Sequence, residues 1–315
     1  MALRNLRVLR YIDEVARIGS VRQAANRLNV TPSALLRRIQ DVEYDLGAKI
    51  FERRASGVHL TAAGEFIIRW IRSQDADLRR VHSQIEELSG LRRGEIRIAC
   101  SQAVARSFLI REILAFQVRH PLVKFQVVVA DHRTAINLLA DYQTDLVLVF
   151  RPSRSPELQT ILTIGQRLVA VFASNHPLAG EKSLRLRQCA LYDVALPEGS
   201  FGGREILENQ LATSSSKLNI VFEANSFEML GDFVASTQAI TFQIEIGALG
   251  WMQDPRFAVR PISELDGAYG PLVLGQFKGR TLSVAVASFA EQVSRKMESM
   301  RTLPMAGKPS DQPLP

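Results

Sequence analysis

The sequence predicts an α/β chain in which a small helical N-terminal part is joined by one long helix to a larger domain of alternating strands and helices. Three observations predict it. Through the first 46 residues apolar side chains recur at three- and four-residue spacing, interrupted at Gly19, at Asn29 to Thr31 and at Gly47. From about 62 to 89 the helical spacing continues without proline. After "SGLRRG", residues 89 to 94, short β-type runs alternate with helical ones.

Leu6, Leu9, Ile12, Val15 and Ala16 line one face of a first helix that closes at Gly19. Val21, Ala24, Ala25 and Leu28 give a second, and Leu35, Ile39, Val42 and Leu46 a third. The gap at Asn29, Val30 and Thr31 suits the tight turn of a helix-turn-helix better than a bundle loop. Thr31 offers an N-cap, Pro32 sits where a missing N–H costs nothing, and Gly47 stands at the C-cap. The outward face of the third helix carries Ser33, Arg37, Arg38 and Gln40. Its start offers free N–H groups and a positive dipole end to a phosphate. In the usual docking of such a pair, the N-terminal half of the second helix meets base edges while the first crosses the backbone. Ser33 and Arg37 are therefore assigned to base readout, Arg37 being able to contact guanine bidentately. Arg22, Gln23, Thr31, Pro32 and Arg38 complete the expected DNA face. The competing reading is a pair of core helices with a solvated, charged exterior.

In "AKIFERRASGVHLTAAGE" two short apolar runs flank a basic tip, the pattern of a hairpin wing whose Arg53 and Arg54 would touch phosphates. These elements make up a predicted winged helix-turn-helix at 1–61. The long helix at 62–89 has a 4-3-4-3 seam at Ile67, Ile71, Gln74, Leu78, Val81, Ile85 and Leu88. At about 1.5 Å per residue it would be roughly 40 Å long. The seam predicts pairing with a second copy, Gln74 helping to set register. The alternative is a long surface helix packed within the monomer.

Beyond residue 94, "GEIRIAC", "VKFQVVVA", "DLVLVF", "DVALP", "LNIVFEA", "AITFQIE" and "PLVLGQF" read as strands. "SFLIREILAFQVRHP", "HRTAINLLADY", "GGREILENQL", "SFEMLGDFVAS" and a segment at about 281 to 300 read as helices. The alternation predicts a mostly parallel sheet and two lobes with a cleft between them, lobe I at about 94–166 and 269–302 and lobe II at about 167–268. Residues 303–315 are expected to be a disordered tail.

Over 315 residues the formal net charge is +7, and the first 60 hold eleven Lys or Arg against six Asp or Glu. A polyanionic partner fits that balance, most strongly where it coincides with the helix pair. Cys100 and Cys189 show no CxxC or Cys/His cluster, so neither a metal site nor a disulfide framework is expected, and a reduced cytoplasm is. No signal-like or membrane-spanning run is present, which predicts a soluble, intracellular protein without a membrane partner. His59, His82, His120, His132 and His176 fall in no HExxH spacing, and no GxSxG or P-loop occurs. Catalysis is not expected, nor is a cofactor.

The stretch "GSVRQAANRLNVTPSALLRRIQDVEYDLGAKIFERRASGVHLTAAGE" resembles the winged helix-turn-helix of the LysR-type transcriptional regulators, with "AAxxLxVTPSALxRxIxxxExxLG", "FER" and "LTxAG" in place. "RHP", the Asp of "TDLVLV" and "HPLA" at 176 to 179 are similar to further family elements. The resemblance covers nearly the whole chain. It implies a homotetramer built as a dimer of dimers, joined by linker-helix coiled coils and by effector-binding regulatory domains that resemble periplasmic binding proteins. It also implies a small effector in the cleft, with Ser101 and Ala103 lining one lobe and Ser200, Phe201, Thr241 and Phe242 the other. Asn225 and Ser226 end a strand near the same place. Ser101 and Ser200 each precede a helix, where a hydroxyl beside free N–H groups favours an anion such as a carboxylate, although each serine could equally be only an N-cap.

The chain departs from the family at Leu36, where serine is frequent, and at Arg38, where glutamine is. In "VASTQAITFQIEIG", Ala239 and Glu245 replace the expected glycine-rich and proline punctuation. The expected function is sequence-specific DNA binding and transcription regulation under a small organic anion, with RNA polymerase admitted as a further partner. A thiol-redox-responsive regulator and an effector-independent architectural DNA binder are the alternatives.

Overall fold

The computed structural model describes residues 6–88, 93–150, 152, 154–198, 202–212, 217–263 and 269–300. The expected tail at 303–315 lies outside them. The chain divides into two compact units, one of Met1–Ile85 with Asp141–Gln143, the other of Glu86–Ala140 with Thr144–Pro315.

The first unit runs α1 (Leu6–Ile18), α2 (Val21–Arg27), α3 (Pro32–Leu46), β1 (Phe51–Arg54), β2 (Gly57–Leu60) and α4 (Ala62–Leu88). Local chemistry sets each boundary. Ser20 caps α2 by accepting from Gln23 N, Thr31 caps α3 by accepting from Ala34 N, and Gly47 ends α3 at φ 66°. Asn29 takes φ 53° in the turn between α2 and α3, a conformation asparagine tolerates better than most residues. Leu9, Ile12, Val15, Ala24, Leu35 and Ile39 form the core. The hairpin β1–β2 is antiparallel, with Arg54 opposite Gly57, and Val58 N donates to Gly19 O at 2.9 Å, tying the wing to the α1–α2 turn.

The start of α4 is consumed by this core. Ile68 and Ile71 are buried in it and Ile67 packs against it, while Arg72 Nε donates to Asp13 Oδ1 at 2.8 Å. The predicted seam is therefore corrected at Ile67 and Ile71, which pack into the N-terminal core of their own chain. Gln74, Leu78, Val81 and Ile85 remain exposed, joined on the first turns by Phe66 and Trp70. The Leu88 side chain lies outside the described residues.

In the second unit β3 (Gly94–Cys100) is flanked by β4 (Val123–Val129) and β5 (Leu146–Phe150), all parallel. The segment after β3 is a short helix, α5 (Gln102–Val104), a π-helical turn (Ala105–Leu109) and α6 (Ile110–Arg119). α7 (His132–Ala140) joins β4 to β5. β6 (Leu158–Ala173) then runs for 16 residues and changes partners midway. Its first part pairs antiparallel with β11 (Tyr269–Phe277), which itself lies antiparallel to β5. From Leu168 onward it pairs with β9 (Thr241–Ile244) and β10 (Phe257–Pro261). β7 (Asp193–Pro197), which follows α8 (Leu186–Cys189), lies parallel to β8 (Asn219–Ala224) and meets the β9 edge through a Val194–Ile240 bridge. α9 (Gly202–Ala212), α10 (Phe227–Ala235), a 3-10 segment (Glu245–Gln253) and α11 (Val284–Ser299) complete the unit.

The sheet is mixed, not mostly parallel. β6, β9, β10 and β11 supply antiparallel pairs because the chain crosses between lobes along β6 instead of returning through a helix. Phe116, Phe125 and Phe289 pack edge-on under α6 and α11 in one lobe. Val169, Val171, Leu230 and Val234 form the opposing core beneath α10.

Candidate functional site

In the first unit the side chains expected to meet DNA are exposed. Arg22 and Gln23 on α2, Thr31, Pro32, Ser33, Arg37 and Arg38 on α3, and Arg53 and Arg54 on the wing are all exposed. Buried Leu35, Ile39 and Val42 turn the other side of α3 inward, so its arginines have one direction available. Arg22, Arg37, Arg38 and Arg53 have no ion-pair partner among the described residues, whereas Arg54 Nε donates to Glu52 at 2.7 Å. The Thr31 hydroxyl caps α3 and lies 3.3 Å from Ser33 Oγ.

Glu43 is a functional support that the sequence reading missed. Its buried carboxylate accepts from Ile50 N at 2.9 Å, Phe51 N at 3.2 Å and Lys49 Nζ at 2.7 Å, fixing the wing to the end of α3. The signal was available: Glu43 follows Val42 on the inward face, at an apolar phase.

In the second unit two cavities meet at the lobe junction. The smaller, about 20 Å³, is lined by Ser101, Asp131, His132, Phe150, Gly203 and Ile244 among others. This is the cleft expected from the sequence, and it has room for about one water. The larger, about 160 Å³, lies on the other side of Ala103, Phe227 and Gln243, which line both.

Ser101 does line the cleft, but its hydroxyl accepts from Phe150 N at 3.2 Å and caps no helix. Ala103 lines both cavities. Ser200 and Phe201 fall outside the described residues. Asn225 is exposed and lines neither cavity, while Ser226 caps α10 and donates to Glu228. Thr241 and Phe242 are corrected. Both are buried on β9, Phe242 in the core with Ile240 and Ile244, and the β9 residues that line the cavities are Gln243, in both, and Ile244, in the smaller. Asp131, also missed, caps α7: it accepts from Thr134 N and Thr134 Oγ1, and these bonds hold its pKa below the usual carboxylate value. "DHRT" carried that capping signal. Among the described lining of the cleft there is a carboxylate and no Lys or Arg.

Cys100 and Cys189 are both buried, and burial pushes the Cys100 thiol up to about 12. Such a thiol is protonated and inert near neutral pH. Among the described residues no group of three His, Cys, Asp or Glu could hold a metal, and no helix is long and apolar enough to cross a membrane.

Two families match the chain: the bacterial regulatory helix-turn-helix protein, lysR family, at residues 6–65, and the LysR substrate binding domain at 89–298. The chain is 31% identical over 204 residues to a RuBisCO operon transcriptional regulator of Allochromatium vinosum, spanning 65% of this chain and 67% of that one. It is 30% identical over 246 residues to the HTH-type transcriptional regulator CbbR of Sinorhizobium medicae (strain WSM419), spanning 78% and 75%. Among solved structures, a full-length OxyR variant from Pseudomonas aeruginosa aligns with a TM-score of 0.69 at 18% identity, covering 92% of this chain and 94% of that one. Full-length CbnR complexed with its target DNA aligns with a TM-score of 0.64 at 19% identity, covering 92% and 99%. With a helix-turn-helix match over its first unit and a substrate-domain match over most of the remainder, the chain belongs to the LysR family of DNA-binding transcriptional regulators.

Proposed function

We propose that α3 reads base edges in the major groove through Ser33 and Arg37, while Arg22, Gln23, Arg38, Arg53 and Arg54 hold the phosphates and Thr31 and Pro32 set the start of the reading helix. The observation that carries this reading is that Arg22, Arg37, Arg38 and Arg53 are all exposed and without carboxylate partners among the described residues. An arginine already paired would have to exchange one ion pair for another, whereas these release only water and counterions.

Residues 1–61 form the DNA-binding domain, 62–89 the dimerisation helix and 94–302 the effector domain in this reading. Leu78, Val81 and Ile85 support a homo-oligomer, since a stripe of three exposed apolar residues on one helix face gains from pairing with a second copy. The dimer of dimers, RNA polymerase contact and cytoplasmic location follow from the family role. The protein acts by binding and not by catalysis.

A small effector in the cleft biases two states of the assembly, so effector and DNA affinities are reciprocally linked. The organic anion suggested by the serines would meet ionised Asp131 there. A neutral hydroxyl- or amide-bearing molecule meets Ser101 and Gln243 without that repulsion. Thiol-redox control is disfavoured by the burial of both cysteines.

Comparison of Arg37→Ala with Arg53→Ala on matched and scrambled DNA tests the assignment. Arg37→Ala is expected to lose about 1 to 3 kcal/mol of discrimination, and Arg53→Ala to weaken both DNAs alike and flatten the salt slope by about one. Equal losses on both DNAs for Arg37→Ala would remove its reading role.

A further inference from the structure

We propose that Gln243 selects the effector: its side-chain amide donates to a ligand carbonyl oxygen in the cleft, and the ligand is a small uncharged primary amide. This rests on the reading of the cleft as the effector site, and adds to it a specificity-setting residue and a chemical class.

Gln243 is 3% exposed and borders both cavities. Its Oε1 accepts from Ile244 N at 2.8 Å. That bond fixes which way round the amide stands, because the reverse orientation would set one N–H against another. Nε2 is left as a donor without an acceptor among the described residues, yet it is not sealed within protein, so the surface it keeps opens on the cavities that the residue borders. A buried donor left unmet is costly, and here only a guest of the cavity supplies the acceptor. The side chain is also held in place. A Cβ on Gly247 would fall 2.8 Å from Gln243 Cδ and 3.0 Å from its Cγ, so the stem lies tight against the 3-10 segment and loses little freedom on binding.

Of the two cavities, the cleft offers a matching second donor. Ser101 Oγ accepts from Phe150 N at 3.2 Å, which leaves its hydroxyl hydrogen without an acceptor among the described residues. Ser101 and Gln243 line the same space of about 20 Å³, and one carbonyl oxygen has two lone pairs to take both donors. Charge then decides among carbonyl compounds. Asp131, on the same lining, is held ionised by its bonds from Thr134, and no Lys or Arg of the described lining offsets it, which opposes a carboxylate. Its oxygens keep lone pairs for a ligand N–H, and an amide carries that donor beside its carbonyl. An alcohol brings a single oxygen to both roles.

The test is saturation-transfer NMR of the full-length protein, free of DNA, at pH 8, where an ordinary imidazole is neutral. The probes are propanamide, propanoate and 1-propanol, which share nearly one shape. Propanamide is expected to bind saturably, with a Kd about fivefold or more below the other two. Gln243→Met and Ser101→Ala should each raise that Kd about threefold or more, as for one lost uncharged hydrogen bond, with thermal unfolding showing that each variant is folded. A Kd that Gln243→Met leaves unchanged overturns the role of Gln243. A Kd raised by Gln243→Met but not by Ser101→Ala moves the ligand to the larger cavity and overturns the proposal too. Propanoate or 1-propanol binding as well as propanamide sinks the amide class, and if Ser101→Ala weakens that binding the cleft still stands as the effector site. No saturable signal from any probe removes both readings.

Discussion

Glu43, buried, accepts two backbone N–H groups where α3 hands the chain to the wing. Glu43→Ala leaves those donors unsatisfied and should cost about 2 to 3 kcal/mol, read as a lower urea midpoint, with DNA affinity falling for all sequences. Glu43→Gln, which keeps an acceptor, should recover much of the loss, and an unchanged midpoint in Glu43→Ala would deny the carboxylate its structural role. His176 supplies a pH-dependent counterpart. It is buried between Phe172 and Tyr192, its Nδ1 accepts from Leu178 N at 3.1 Å, and its Nε2 faces Gln238 O at 3.1 Å. That pattern needs the neutral ring protonated at Nε2, and burial, partly opposed by the Gln238 bond, lowers its pKa. Because the unfolded chain takes up this proton first, His176 should make stability fall as pH drops from about 6.5 toward the lowered folded value. Urea midpoints across that window should slope upward with pH, and His176→Asn should flatten the slope. A wild-type profile with the same slope as the variant would remove this residue from the account.

At the scale of elements, α4 does two jobs along one face. Its first turns close the N-terminal core through Ile68 and Ile71, and Gly64 allows this because a Cβ there would lie 2.1 Å from Ile50 O. Its later turns expose Leu78, Val81 and Ile85. If the proposed homo-oligomer pairs through this stripe, Val81→Asp should lower the mass seen by sedimentation, while the unfolding free energy of the single chain changes by less than about 0.5 kcal/mol. An unchanged mass would mean that the stripe is not the interface. This division explains what periodicity could and could not show. The helices of the first unit were legible because caps such as Thr31 and Gly47 agree with the apolar spacing. The heptad seam was legible as a pattern, but spacing alone cannot say whether Ile71 meets its own α1 or a second copy. β6 was not legible: "LQTILTIGQRLVAVFA" passes from a half-exposed stretch through Gly165, Gln166 and Arg167 into a run buried on both faces. It has no single period because its neighbours change midway. In the cleft, the family pattern pointed to β9, but to Thr241 and Phe242, whereas the residues that line it are the next two, Gln243 and Ile244, at the end of the strand.

For the second unit as a whole, the decisive place is where β6 exchanges β11 for β9 and β10. Gln166 Oε1 accepts from Ile246 N at 2.9 Å, and Arg167 meets Glu245 with two bonds, Nη2 to Oε1 at 2.6 Å and Nε to Oε2 at 3.1 Å. Glu245 stands where the family often has punctuation, so this chain holds the crossover with an ion pair in its place. The pair is partly exposed, and its worth to global stability is about 1 kcal/mol or less. It stands on the segment that joins the lobes, and because the cleft holds only about 20 Å³, the effector proposed above would enter only if the lobes part. Glu245→Gln weakens the clasp while keeping the side-chain volume. It should raise hydrogen exchange at Ile246 and at the cleft residues Ser101 to Ala103, leave the strands β3 and β5 protected, and speed effector association more than dissociation. Charge reversal of both partners, Arg167→Glu with Glu245→Arg, should restore the slow exchange, since the pairing and not either residue's identity is what holds the crossover. Unchanged exchange in Glu245→Gln would locate the hinge's resistance in the backbone pairing of β6 with β9 and β10 instead, and the clasp would then be only a surface ion pair.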